Sequence, residues 1–246
     1  MSEDFVVAID GPAGAGKSTV ARRVAERLDG FRYLDTGAMY RAVTAYLLRF
    51  DNRNASDEEM GRVAEGLVFD GERLLVHGTD VTPDIRSAAV TADVSRVSAV
   101  PRVRRVVQGK QRAMKGRLVA EGRDIGSVVF PQAAVKVYLD AALDERARRR
   151  HKQVPEFSAD QYKDQLEKRD RLDSTRDDSP LAKAPDATLI DTTNLTIDQV
   201  VGKVEALVRE RLGRGGGSAA REKGQGRIGR RRSAGPHAER PPREEG

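Results

Sequence analysis

The chain contains no cysteine. That excludes a disulfide framework, thiolate metal ligands and a thiolate nucleophile. Histidine is scarce as well: His77, His151 and His237 are scattered, so neither a histidine-based metal site nor a catalytic triad is expected. No apolar run approaches membrane-spanning length, and MSEDFVVAID carries acidic residues where an export signal has basic ones. A soluble, cytoplasmic protein that does not enter membranes is the expectation. There is no internal repeat and no second phosphate loop. The folded body also lacks a strong charge of either sign. Of the formal +6, the stretch from Gly213 onward carries +5, which leaves +1 for residues 1–212.

That last stretch, 213–246, is rich in Gly, Arg and Pro and nearly devoid of apolar side chains. It cannot bury enough surface to offset the entropy of ordering, so a disordered basic tail is expected. Arg230, Arg231 and Arg232 could touch RNA or another anionic surface; a solvated tail is the preferred reading. Elsewhere, 38% hydrophobic content over 246 residues suffices for one large α/β domain or a core with an insertion.

What is present is organised around FVVAIDGPAGAGKST, Phe5 to Thr19. Phe5 to Ile9 is apolar and β-branched without alternation, as expected of a parallel strand buried on both faces. From Gly11 the spacing is G-x-x-x-x-G-K-[ST], filled by Gly11, Gly16, Lys17 and Ser18, and a helical pattern with Val20, Val24 and Leu28 follows. Backbone N–H groups can close on phosphate oxygens only where no Cβ obstructs them, and the helix that follows turns its positive end toward the same anion. Gly11, Pro12, Ala13, Gly14, Ala15, Gly16, Lys17, Ser18 and Thr19 are therefore the candidate contacts to a nucleoside triphosphate. Lys17 would reach the β and γ phosphates, and the Ser18 hydroxyl would ligate Mg²⁺.

Four more strands of the same type are expected. Phe31 to Asp35 delivers Asp35-Thr36-Gly37-Ala38-Met39-Tyr40-Arg41 to the ligand edge of the sheet, with Thr36 a plausible N-cap. Tyr40 and Arg41 have both a structural reading, as core and surface charge, and a site reading. Arg117 to Glu121 ends in Gly122-Arg123-Asp124-Ile125-Gly126, where Arg123 could bind a phosphate bidentately and Asp124 could accept from a base amino group or orient a metal-bound water. The alternative there is a turn ion pair. Val135 to Asp140 leads into a helix bearing Glu145, Arg146, Arg148, Arg149 and Arg150, either a solvated face or guanidinium groups that neutralise phosphoryl transfer. Ala187 to Asp191 is the last strand, and a helix from Ile197 to Leu212 closes the body.

Between Phe31–Asp35 and Arg117–Glu121, Ser56 and Glu59 form a capping box and Asp70-Gly71 separates the two arms of a hairpin. Helical periodicity then runs from Ile85 to about Met114, broken by Pro101. A hairpin inside an alternating βα chain predicts an insertion outside the main sheet. After Pro155, a helix from Ser158 carries Arg169 and Asp173, four apart on one face, with Arg176 a turn further on.

Taken together, IDGPAGAGKST (9–19), YLDTGAMYRAV (33–43), VPRVRRVVQGKQR (100–112), AEGRDIGSVVFP (120–131), KVYLDA (136–141), ERARRR (145–150), KRDRLDSTR (168–176) and IDTTNLT (190–196) closely resemble bacterial cytidylate kinases. The resemblance spans nearly all of residues 5–212. It implies a P-loop NTPase-type fold: a five-stranded parallel sheet flanked by helices, a monophosphate-binding insertion at about 56–115, and a short helical lid at about 145–157. It further implies phosphoryl transfer from ATP to CMP or dCMP with Mg²⁺. The sequence leaves the oligomeric state open, with a monomer the expectation. By similarity, Ser95, Arg104 and Asp124 would recognise cytosine, and Arg169 with Asp173 would hold the sugar. Tyr40, Arg41, Arg123 and Arg176 would surround the acceptor phosphate, with Thr36 nearby. Lys17, Arg123, Arg146, Arg149 and Arg176 would neutralise the transferring group. The stretch HKQVPEFSADQ is a few residues shorter than the family pattern, and the tail has no counterpart. Two other readings are a small P-loop kinase with a different acceptor and a P-loop switch or RNA adaptor. The second would need a switch glutamine and basic charge on the body, neither of which is evident.

Overall fold

The computed structural model describes residues 4–70 and 73–222, with only the backbone course for 214–222. Five strands, β1 (Phe5–Asp10), β2 (Phe31–Asp35), β6 (Arg117–Glu121), β7 (Val135–Asp140) and β8 (Thr188–Asp191), form one parallel sheet in the order β2-β6-β1-β7-β8. The all-apolar middle of β1 is fully buried because it lies between β6 and β7 and under helices on its faces. The chain leaves β1 toward β2 and later returns past β1 to β7 and β8. The strand order therefore reverses beside β1, the position at which open α/β sheets bind ligands.

The connections are helical. α1 (Lys17–Arg27) and α2 (Thr36–Arg49) follow β1 and β2, α6 (Leu143–Gln153) and α7 (Ala159–Thr175) follow β7, and α8 (Ile197–Glu222) follows β8. A one-turn π-helical segment, Ile125–Val129, follows β6. α8 runs beyond the expected Leu212, since extending a helix whose earlier turns are packed costs little more than each residue's propensity. Residues 223–246, including Arg230 to Arg232, lie outside the described residues. The chain divides into Met1–Arg211 and Leu212–Gly246 as compact units. Among the described residues, no helix is long and apolar enough to cross a membrane.

The insertion is built from α3 (Asp57–Glu65), β3 (Leu67–Asp70), β4 (Arg73–Val76), β5 (Thr79–Asp80), α4 (Ala88–Ala99) and α5 (Pro101–Arg112). β3 and β4 pair antiparallel with Asp70 opposite Arg73, as the hairpin reading requires. The two-residue β5 adds a third strand that has no sequence signal of its own. The Ser56–Glu59 capping box is present, and Pro101 opens α5 at its first turn, where a missing N–H costs nothing. These elements share an apolar core with α2, including Met39, Leu47, Met60, Leu67, Val97 and Val103. A separate cluster of Ala13, Ala147, Tyr162 and Leu166 packs the phosphate loop against α6 and α7.

Candidate active site

All five parallel strands end on an acidic residue: Asp10, Asp35, Glu121, Asp140 and Asp191. At the edge these carboxylates define, the phosphate loop leaves β1 through Gly11. That residue has φ 145, and a Cβ there would lie 2.0 Å from the Leu139 carbonyl oxygen. Gly16, at φ 93, begins α1 without a side-chain cap, so no side chain claims the first-turn N–H groups of the helix. Lys17 is 5% exposed and donates to the Pro12 carbonyl at 2.7 Å. Burial first, and then the neighbouring Arg123, push its ammonium down to about 7. The Ser18 hydroxyl donates to Glu121 Oε1 at 2.7 Å. Burial, and after it Asp35, raise the Glu121 carboxyl.

Asp10 is buried and accepts from the backbone N–H groups of Ile125 and Gly126, each at 2.8 Å. Burial pushes it up to about 6 against those two donors. It ties the end of β1 to the turn that follows Arg123 and Asp124, so the phosphate loop and the turn after β6 share one anchor.

On the side of α6 and α7, Asp170 accepts from Ala13 N–H at 3.0 Å and pairs with Arg146, whose Nη1 also donates to the Ala13 carbonyl at 2.9 Å. Arg149 donates to Glu145 at 2.8 Å, to Thr192 Oγ1 at 3.0 Å and to the Thr192 carbonyl at 2.5 Å. The two arginines thus brace the phosphate loop and the loop after β8. Arg148 turns outward to Glu145, and Arg150 lies over the Tyr162 ring.

Across the site, Thr36 is not the N-cap of α2. Asp35 is, accepting from Ala38 N–H at 2.9 Å, while its other oxygen takes Arg86 at 2.9 Å. The reason is register: Asp35 stands opposite Glu121, which brings the Thr36 hydroxyl within 2.6 Å of the Glu121 carbonyl. Tyr40 is buried with its hydroxyl unpartnered, and the Arg104 guanidinium lies 5.4 Å over its ring. Arg41 donates to the Ile85 carbonyl at 3.1 Å and to Thr91 at 3.0 Å.

Arg123 and Asp124 do not pair with each other. Arg123 Nε donates to Asp173 at 2.8 Å, and Asp124 Oδ2 accepts from Arg104 at 2.5 Å. Arg176 donates to the Ser179 carbonyl at 2.6 Å and stands 3.8 Å from Asp124 and 3.7 Å from Asp173. Ser95, on α4, is half-buried, and its hydroxyl has no partner among the described residues.

The charges do not balance internally. Burial, followed by Arg123, pushes Arg169 down to about 10, and Arg41 adds to the repulsion. Arg41 itself is lowered, by burial first. Burial opposes ionisation of Asp173, but Arg123, Arg169 and Arg176 outweigh it and hold that carboxyl below its usual range. Lys17, Arg41, Arg123, Arg169 and Arg176 thus share a desolvated region with Asp173 and Glu121, while the other nearby carboxylates, Asp35, Asp124 and Asp170, are already paired with Arg86, Arg104 and Arg146. The buried Nε of Arg169 and Nη2 of Arg176 have no hydrogen-bond partner among the described residues. Such a region favours an anion with several acceptor oxygens.

The residues missed in the sequence reading are Asp10, Asp35, Glu121, Asp170 and Gln108. The first three carried a signal, the repeated acidic strand end; Asp170 and Gln108 carried none.

The cytidylate kinase family model matches residues 7–210. A cytidylate kinase of Mycolicibacterium paratuberculosis is 49% identical over 224 residues, covering 86% of this chain and 98% of that protein. A cytidylate kinase of Carboxydothermus hydrogenoformans is 47% identical over 216 residues, covering 82% and 96%. Among solved structures, a shikimate kinase from Acinetobacter baumannii in complex with shikimate aligns over 85% of this chain and 94% of that chain, at 18% identity and a TM-score of 0.43.

Proposed function

The chain belongs to the cytidylate kinase family, and from that membership we propose that it transfers the γ-phosphoryl group of ATP to CMP or dCMP, giving ADP and CDP or dCDP. An oxygen of the acceptor phosphate attacks the γ phosphorus as the bond to the ADP leaving oxygen breaks. That oxygen is already anionic at neutral pH, so no general base is required. Catalysis reduces to positioning and charge neutralisation.

In this reading the loop from Gly11 to Thr19 holds ATP, and Lys17 spans its terminal phosphates. Tyr40, Arg41, Arg123 and Arg176 receive the acceptor phosphate, Arg169 and Asp173 hold the sugar, and Ser95, Arg104 and Asp124 read the base. The observation that carries the base assignment is the 2.5 Å bond from Arg104 to Asp124, which leaves Asp124 Oδ1 without a hydrogen bond. Cytosine offers an amino donor and a ring-nitrogen acceptor on one edge. A carboxylate beside a guanidinium presents the complementary pair.

Mg²⁺ fits the residues present. It is a cation that keeps most of its waters and takes few protein oxygens, and Ser18 Oγ beside the Glu121 carboxylate supplies one ligand and one water-orienting acceptor. When bound, the ion supplies charge neutralisation at the phosphate oxygens.

An acceptor panel under ATP and Mg²⁺ tests the function. CMP and dCMP should be phosphorylated much faster than UMP, AMP, GMP or shikimate. Equal or faster turnover of AMP, GMP or shikimate would reject the assignment.

A further inference from the structure

Asp124 is held by a second donor. Gln108, on α5, is 5% exposed, and its Nε2 donates to Asp124 Oδ2 at 3.2 Å and to Ser179 Oγ at 3.0 Å. The amide orientation follows from its partners. A carboxylate oxygen only accepts, and Ser179 Oγ spends its hydrogen on Asp178 Oδ1 at 2.5 Å, so both faces call for the NH₂ end. The contacts close on themselves: Arg104 to Asp124, Asp124 to Gln108, Gln108 to Ser179, Ser179 to Asp178, and Asp178 back to Arg104 Nε at 3.8 Å. Ser179 has φ 53, a left-handed conformation that a serine keeps only when its surroundings hold it. Its carbonyl accepts from Arg176 Nε. Gln108 thus touches the base-reading carboxylate with one hydrogen and, with the other, the residue that anchors Arg176.

We propose that Gln108 is a specificity-determining positioning residue, which fixes Asp124 so that Oδ1 is the oxygen left to accept the cytosine amino group. The inference rests on the reading of Asp124 as the base contact. Two donors on Oδ2 remove the freedom of the carboxylate to rotate about its Cβ–Cγ bond. With Oδ2 occupied, Oδ1 remains the acceptor of the group, with Arg176 Nη2 3.8 Å away. It therefore welcomes an amino group and repels the carbonyl that uracil presents at the same place. With Arg104 alone on Oδ2, the carboxylate pivots about a single bond, and Ser179 loses its link to α5.

The test is steady-state kinetics of the full chain with CMP and UMP as acceptors, comparing wild type with Gln108→Leu, which keeps the volume and removes both donors. The variant should lose about tenfold in kcat/KM for CMP, mostly through KM, while its kcat/KM for UMP changes about twofold or less, so that discrimination falls by roughly an order of magnitude. KM for ATP should not move. Gln108→Asn keeps the amide one methylene short of both partners and should give a smaller loss of the same kind; it carries the test if the leucine variant does not fold. Parallel losses for CMP and UMP, or an unchanged ratio, would overturn the proposal. Asp124→Ala separates it from its premise. If that variant relaxes base choice and the Gln108 variants do not, the role of Gln108 alone fails. If Asp124→Ala leaves the ratio unchanged, the base assignment fails with it.

Discussion

Ser18 and Glu121, 103 positions apart in the chain, meet in a 2.7 Å hydrogen bond that joins the first turn of α1 to the end of β6. In the function proposed above, the hydroxyl ligates Mg²⁺ and the carboxylate accepts from its waters. Glu121→Gln keeps the shape and an acceptor for Ser18 but removes the charge. Activity should then require roughly 10- to 100-fold more Mg²⁺ for half-saturation, as expected when an outer-sphere partner of a metal is neutralised. ATP binding measured without Mg²⁺ should be unchanged or tighter, because a negative charge near the triphosphate is gone. An Mg²⁺ titration of wild-type shape would refute the metal role of Glu121.

Lys17 gives a pH dependence with a definite sign. Its folded pKa lies near 7, below the usual lysine value, so the free enzyme loses this positive charge as pH rises through that value. If Lys17 holds the triphosphate as proposed, it does so as the ammonium, and kcat/KM for ATP should fall on the alkaline side of about 7, where monoester-type phosphates have already lost their last proton. Bound phosphates restore the charge, so kcat at saturating ATP should hold its plateau to higher pH. Parallel profiles for the two quantities would contradict this account of Lys17.

Two glycines should respond oppositely to the same substitution. Gly11→Ala places a Cβ 2.0 Å from a backbone oxygen of β7 at φ 145, and the loop or the strand must move. A loss of stability on the order of 3 kcal/mol or more is expected, together with loss of ATP binding. Gly109→Ala lies in the interior of α5, where a new Cβ meets nothing within 4 Å. It should stabilise by about 0.5–1 kcal/mol through backbone entropy. Thermal unfolding of both variants checks the pair.

The central strands β1 and β6 were legible in the sequence because burial on both faces writes a nearly unbroken apolar run, as in Phe5 to Ile9, and the phosphate loop because glycine is demanded at fixed places. The Ser56–Glu59 capping box was legible because both partners lie within one turn. The pairings inside the site were not. Arg123 and Asp173 are 50 positions apart, and Gln108 and Ser179 are 71 apart. No spacing rule marks such partners. The adjacent Arg123 and Asp124 read as a local pair and are each drawn to a different helix. Thr36 was misplaced as a cap because the competing acceptor, the Glu121 carbonyl, arrives from another strand.

Arg123 offers the sharpest test of the guanidinium cluster. Its Nε is committed to Asp173 at 2.8 Å and its Nη1 to the Gly122 carbonyl at 3.3 Å, so the fork is fixed in orientation before any phosphate arrives. A lysine keeps the charge but has one nitrogen in place of three. That ammonium can serve Asp173 or the transferring phosphoryl group, and the buried carboxylate competes for it throughout the reaction. Arg123→Lys should therefore lower kcat about 10²- to 10³-fold, the cost of removing one preorganised donor from a developing anion, with KM for ATP within about twofold of wild type. Steady-state kinetics with each substrate varied in turn makes the measurement. If Arg123→Lys retained more than half of the wild-type kcat, the directed fork would be irrelevant to transfer and charge alone would account for the cluster.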